Sequence, residues 1–362
     1  MAGLNECGHV IEVVSLDNAS DSFVGQFPLK VHALGPALLS YGFTPKLLSF
    51  LKNARQNYDL VIVHGLWQFT SFATWLSLAK TNTPYVVFTH GMLDPWFNRA
   101  YPLKHLKKII YWRLAEHKVL RDAACVLFTA EEERVLAAQS FRPYQAREAV
   151  VGFGAAETVG DAGELSTMFF GQHPSLIDKQ ILLYLGRIHE KKGCDLLLRA
   201  FAQIKHKFPR TQLVIAGPVS GKYAERLHQD DSLSDKVTWT GMLTGDLKQG
   251  ALYAASALVL PSHQENFGVV VAEALSCGLP VLISNKVNIH REILADCAGF
   301  VENDDLPGTE KLLTEFLTLP ASESKQMRLN ARACFERRYS IDIVLSKLLV
   351  LLQNIIAVNR SE

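Results

Sequence analysis

The sequence predicts an α/β protein of two doubly wound, Rossmann-like domains facing a cleft. Short apolar runs alternate with helical patterns along the whole chain, which implies parallel sheets covered on both faces. Its 362 residues exceed one ordinary α/β core and suit two. A composition break follows Val150, where Gly152, Gly154, Gly160 and Gly163 punctuate a mostly polar connection. The expected division is 1–157, 158–340 and a closing helix over 341–362. Ligands in such sheets bind at the carboxyl ends of strands, so residues just past each strand are the first candidates for function.

In order, Ile11–Ser15, Leu60–His64, Tyr85–Thr89 and Cys125–Thr129 read as strands of the first domain, and Leu38–Asn53 and Lys104–Leu120 as helices. Ile11–Ser15 reads as a second strand. Residues 1–7 look like the tail of a first helix, and neither Gly3 nor Gly8 follows a strand. Either the true start lies upstream or the form is shortened and lacks its central strand. Ile181–Leu185, Leu213–Ala216, Val237–Thr240, Leu258–Leu260 and Val281–Ser284 continue the series in the second domain. Ile343–Val358 is the most apolar stretch; Lys347, Gln353 and Asn354 interrupt it, so it reads as a packed helix and not a membrane span.

Composition narrows the function. A hydrophobic fraction of 48% with 20% charged residues describes a soluble globular protein, and a net charge of +1 gives nothing global to favour nucleic acid. The six cysteines lack Cys-x-x-Cys pairing and read as free thiols in a reducing cytoplasm. No metal-ligand spacing is expected; Asp230-Asp231 reads as solvated. No Gly-x-Ser-x-Gly elbow or Gly-Lys-Ser/Thr phosphate loop is present.

Ser262 to Leu275 carries the most information. The run Leu258-Val259-Leu260 ends at Pro261-Ser262, and Asn266 or Gly268 can open a helix whose unpaired N–H groups suit anions or hydroxyls. Seven residues of helix rise would set Glu265 and Glu273 roughly 10 Å apart at ~1.5 Å each. That separation fits one acceptor near a hexose (Glu265) and one near a ribose (Glu273) in a sugar diphosphonucleoside. Arg187 and Lys192, after the strand ending at Leu185, can converge on a diphosphate and stabilise its developing charge without a metal. His90 follows Tyr85–Phe88 and His64 ends the preceding strand; Asp94 suits an acceptor hydroxyl, and Trp67 and Trp96 suit sugar faces.

The Glu265…Glu273 segment resembles the Glu-x-x-x-x-x-x-x-Glu signature of retaining nucleotide-sugar glycosyltransferases of the GT-B fold, family four (group 1), and the similarity runs from about residue 8 to 350. Gly186-Arg187…Lys192-Gly193 matches that family's Gly-Arg…Lys-Gly motif. The resemblance implies a metal-independent enzyme without cofactor, with a nucleotide-sugar donor and a glycan or lipid-linked glycan acceptor. It implies diphosphate binding by Arg187 and Lys192, sugar contact by His90, base contact by Gly241 and Met242, and backbone contact by Asn266, Phe267 and Gly268. The final helix would return to the first domain. The family's glycine-rich loop after the first strand has no counterpart here.

The reading is a cytoplasmic retaining hexosyltransferase in cell-surface polysaccharide synthesis, with Glu265, His90, Arg187 and Lys192 as its catalytic set. A GT-B nucleotide-sugar epimerase and a truncated, non-catalytic nucleotide-binding homologue are the alternatives. Lys104, Lys107, Lys108 and Lys118 fall within an arc of roughly 100°, with Tyr111 and Trp112 among or beside them. A solvated basic face and an anionic membrane surface, at the inner face of the plasma membrane, are both open readings.

Overall fold

The computed structural model describes residues 2–100, 102–157, 160–229 and 235–361; Asp230-Asp231 lies outside them. The chain divides into two compact units, 1–152 with 344–362, and 153–343. All strand pairs in the sheets are parallel.

The first unit contains β1 (Glu12–Ser15), β2 (Lys30–Ala33), β3 (Val61–His64), β4 (Tyr85–Phe88), β5 (Cys125–Phe128) and β6 (Glu148–Val150). They form two sheets, β1-β2 and β3-β4-β5-β6. β4 and β5 are buried throughout, whereas β1 has no fully buried residue. Side chains alternate across the larger sheet, as a period of two demands. Tyr85, Val87, Val126 and Phe128 join Leu78, Trp112, Val119 and Leu120 on one face. Val86, Phe88, Cys125 and Leu127 meet Leu352 on the other, with Leu348, Leu351 and Ile355 packed beside it. A fully buried side chain of this size contributes roughly 1.5–3 kcal/mol.

The helix Ile341–Ser361 covers that second face. Its apolar window has a mean hydropathy of 2.0 and is long enough to cross a membrane by length and composition, and only 6% of it is buried in the protein. It is therefore packed along one side rather than enclosed, less buried than the sequence suggested. The short helix Ala2–Glu6 also meets it: a Cβ on Gly3 would lie 2.9 Å from Leu345.

Two first-unit helices depart from expectation. The stretch read as one helix from Leu38 is a tight turn, with a bridge between Leu38 and Phe43, and then the helix Pro45–Ala54. Thr44 is extended and Pro45 sits at the first helical position, which fixes the later start. Lys104–Leu120 is helical, but Pro102–Tyr111 passes through a π turn, Trp112–Glu116, before continuing as His117–Asp122. The turn re-aims Trp112 and Glu116 into the core, where both are buried.

The second unit is a six-stranded sheet in the order β12-β11-β10-β7-β8-β9: β7 (Gln180–Leu185), β8 (Thr211–Ala216), β9 (Val237–Gly241), β10 (Ala257–Leu260), β11 (Val281–Ser284) and β12 (Gly299–Glu302). The order reverses between β7 and β10, the topological switch point where open α/β sheets bind ligands. Two glycines set close approaches there. A Cβ on Gly217 would lie 2.0 Å from the Gly186 carbonyl oxygen, and one on Gly193 would lie 2.1 Å from that of Pro261.

Candidate functional site

Around the switch point, three segments are laced together. Gly186 and Arg187 leave β7, a 3-10 turn runs over Glu190–Lys192, and the left-handed Gly193 (φ 66°) begins the helix Cys194–Ile204. After β10, the loop 261–268 is tied back at both ends. His263 N–H donates to Lys191 O at 2.9 Å, Glu265 N–H to Lys286 O at 2.9 Å, and Asn288 N–H to Glu265 O at 3.0 Å. Left-handed Gly268 (φ 76°) then caps the helix Val269–Ser276.

This lacing brings Lys192 and Glu265 into direct contact as an ion pair, each with less than a fifth of its side chain exposed. Burial, followed by the neighbouring Lys191 and Arg187 charges, pushes the Lys192 ammonium down to about 8; the Glu265 carboxylate opposes that shift. Arg187 is exposed and pairs with no carboxylate among the described residues, so its guanidinium is open to an anion.

Glu273 lies little more than one turn into its helix, because the helix begins only at Val269. Glu265 lies in the loop before that helix, as expected, but Glu273 sits about one turn inside it rather than the two expected. Glu273 Oε1 accepts from Lys248 Nζ at 2.7 Å. Lys248 belongs to the helix Gly245–Ala254 after β9 and was not singled out in the sequence. It stands alone in a helical pattern with no motif around it. Gly241 ends β9 with a left-handed backbone (φ 70°), and Met242 beyond it is 70% exposed, open to a planar ring. The Phe267 side chain is buried against Phe153 and Tyr339, which leaves only its backbone for a ligand.

In the first unit, His64 and His90 stand at the ends of neighbouring strands. His64 Nδ1 and His90 Nε2 share a hydrogen bond of 2.9 Å, and the rings stack with Phe88. Although one edge of His64 reaches solvent, burial and then the facing His90 push it down to about 4; burial also lowers His90, opposed by Glu133. Both imidazoles are held neutral near pH 7, able to donate and accept with a hydroxyl.

Sequence reading missed the residue that fixes this pair. Buried Glu133, on the helix Glu131–Ser140, accepts from Thr89 Oγ1 (2.7 Å), Gly91 N–H (2.6 Å), Thr129 N–H (2.8 Å) and Thr129 Oγ1 (2.6 Å). It clamps the turn after β4, in which His90 takes a left-handed backbone (φ 49°), to the turn after β5. Among three successive glutamates, nothing but burial marks it out.

Two acceptor-side assignments are corrected. Trp67 Nε1 donates to Met92 O at 3.1 Å, its ring packs on Trp112 and Phe141, and Lys108 Nζ lies 4.4 Å from the ring centroid. Its faces are thus taken up by core and cation, and it cannot stack on a sugar. Asp94 is buried and accepts from Trp96 N–H at 2.8 Å at the start of the short helix Trp96–Ala100, an anchor for that turn. Trp96 is half-buried beside Phe97 and keeps surface for a ligand. Lys108 also leaves the expected basic face, since it turns inward over Trp67 and burial lowers its pKa.

The sequence model described as "Glycosyl transferases group 1" matches residues 168–333, and that described as "Glycosyl transferase 4-like domain" matches residues 1–154. The chain belongs to the group 1 glycosyl transferases. It resembles D-inositol 3-phosphate glycosyltransferase of Mycolicibacterium smegmatis, with 27% identity over 176 residues, 47% of this chain and 40% of that one. Alignments with the first such relatives span only 28–40% of those proteins' lengths. Among solved structures, sucrose-phosphate synthase from Thermosynechococcus elongatus matches with a TM-score of 0.76 at 20% identity, covering 98% of this chain and 91% of that one. Anabaena HepE in complex with UDP and glucose matches with a TM-score of 0.71 at 18% identity, covering 94% and 91%. These two likenesses establish the GT-B fold for this group 1 glycosyl transferase.

Proposed function

We propose that this protein is a retaining, metal-independent hexosyltransferase. It would move a hexosyl group from a nucleotide-diphosphate sugar to a hydroxyl of a sugar or lipid-linked sugar, in the synthesis of a cell-surface polysaccharide. The observation that carries the reading is the Lys192–Glu265 pair beside Arg187, which pairs with no carboxylate among the described residues, with Glu273 on the adjoining helix, all at the switch point of one sheet. The solved relative with UDP and glucose supports a nucleotide-sugar donor.

In this mechanism the bond from the anomeric carbon to the diphosphate oxygen breaks through an oxocarbenium-like transition state. Arg187 and Lys192 take up the charge gathering on the diphosphate. The departing oxygen receives the acceptor hydroxyl's proton on the same face, and the acceptor oxygen closes onto the anomeric carbon. Configuration is thereby kept. Glu265 holds Lys192 and meets the sugar, and Glu273 takes a ribose hydroxyl. Six free cysteines support a reducing, cytoplasmic setting.

The test combines two measurements. Nuclear magnetic resonance of the product made from an α-linked donor should show an α-linkage, and Arg187→Ala should weaken nucleoside diphosphate binding about tenfold or more, from a contact worth ~1.5–3 kcal/mol. Inverted product, or unchanged affinity in the variant, would contradict the reading.

A further inference from the structure

The first unit exposes a contiguous apolar face. On the helix Pro102–Tyr111 and its π continuation, Leu103, Leu106, Ile110 and Leu114 are between 57% and 86% exposed. Their spacing of three or four residues makes one stripe, opposite the buried Trp112. Lys104 and Lys107 are exposed along one border and Arg113 along the other, and residues 102–115 contain no carboxylate. Beside this helix stands the hairpin turn 38–43, closed by Leu38 N–H to Phe43 O (2.8 Å) and Phe43 N–H to Leu38 O (3.0 Å). It presents Leu38 and Leu39, 62% and 88% exposed, and Leu39 takes a left-handed backbone (φ 59°) that leucine adopts only at a cost. Tyr41 OH and Tyr111 OH, 2.6 Å apart, bind turn to helix.

We propose that this helix and turn together dock the protein on an anionic membrane surface. The leucines would enter the boundary between headgroups and acyl chains, while the lysines lie along the helix and reach phosphates. The positive charge along a segment whose residues 102–115 include no carboxylate selects that occupant. A second copy of this chain would bring like charges together, and an uncharged apolar partner would leave the lysines unused. The proposal is independent of the transfer chemistry, though it suits a lipid-linked acceptor.

The experiment is flotation of the full chain with vesicles of phosphatidylcholine, with and without phosphatidylglycerol, at low and high salt. Wild-type protein should float with the anionic vesicles only, and less at high salt. Leu106→Ser/Ile110→Ser and Leu38→Ser/Leu39→Ser should each lower binding about tenfold or more. Lys104→Ala/Lys107→Ala should act in the same direction, while thermal stabilisation by UDP or GDP stays unchanged in all three, showing them folded. Failure of the wild type to float, or equal flotation by the leucine variants, overturns the proposal. So does a concentration-dependent dimer in sedimentation velocity that those variants abolish, which would assign the face to a second copy.

Discussion

Burial and the neighbouring Lys191 and Arg187 charges disfavour the Lys192 cation despite its Glu265 partner, and this gives donor binding a dependence on pH. Its pKa is pushed down to about 8, so it is charged below that value and increasingly neutral above it. A diphosphate beside it would raise the pKa again, because an anion favours the protonated form. Binding therefore takes up a proton above pH 8. Affinity is full below about 8 and falls above it, by up to about tenfold per pH unit, until the pKa of the complex is passed. Lys192→Met removes the charged contact, and at neutral pH should cost ~1.5–3 kcal/mol, about 10- to 150-fold in affinity. It should also abolish the dependence above pH 8. Isothermal titration calorimetry with UDP or GDP, from about pH 6.5 to about pH 9.5, reads both effects, and buffers of differing ionisation heat read the proton. Glu265→Gln is the control: Lys192 loses its carboxylate partner but remains to meet phosphate. Wild-type affinity that is flat across pH 8, or a Met variant that binds as tightly as wild type, would refute the reasoning.

Three other outcomes are expected. Glu133→Ala should cost about 3–5 kcal/mol in chemical denaturation, because it leaves the buried donors of Thr89, Gly91 and Thr129 without their acceptor. Gly193→Ala should lower stability by about 2–4 kcal/mol on thermal or chemical unfolding, since its Cβ would meet the Pro261 carbonyl in a left-handed backbone. Burial raises Glu116 to about 6, so the folded state binds its proton more readily than the unfolded one, and stability from this group grows as pH falls from 6 towards 4.5. Glu116→Gln keeps an oxygen for Trp67 N–H and Ser71 Oγ; it should add about 2 kcal/mol at pH 7 and little at pH 4.5, by urea titration.

Legibility in the sequence followed burial. Val281–Ser284 has the bounds expected, and the strands around it shift by a residue or two, because fully buried parallel strands are short apolar runs with clear ends. β2, β6 and β12 were missed for the opposite reason. Lys30-Val31-His32-Ala33 carries Lys30 and His32 paired with Glu12, and so shows no apolar run at all. Glu148–Val150 is three residues long. Gly299 opens β12 where backbone approaches so closely that a Cβ would lie 1.8 Å from the Val281 oxygen, and glycine there reads as a break. At the candidate site, Glu265, Glu273, Arg187 and Lys192 were singled out because they belong to motifs that follow a strand end. Lys248 and Glu133 were not, since their importance comes from what folds against them. Trp67 and Asp94 show the converse error: an aromatic and a carboxylate beside a strand end look like a sugar site until packing uses them.

The most direct measurement is a crystal structure with a nucleoside diphosphate bound. The account predicts the two phosphates within hydrogen-bond distance of the Arg187 guanidinium and Lys192 Nζ, the ribose hydroxyls on Glu273, and the base over Gly241 and Met242. A nucleotide seated elsewhere, with the Lys192–Glu265 pair undisturbed and Arg187 still in solvent, would contradict it.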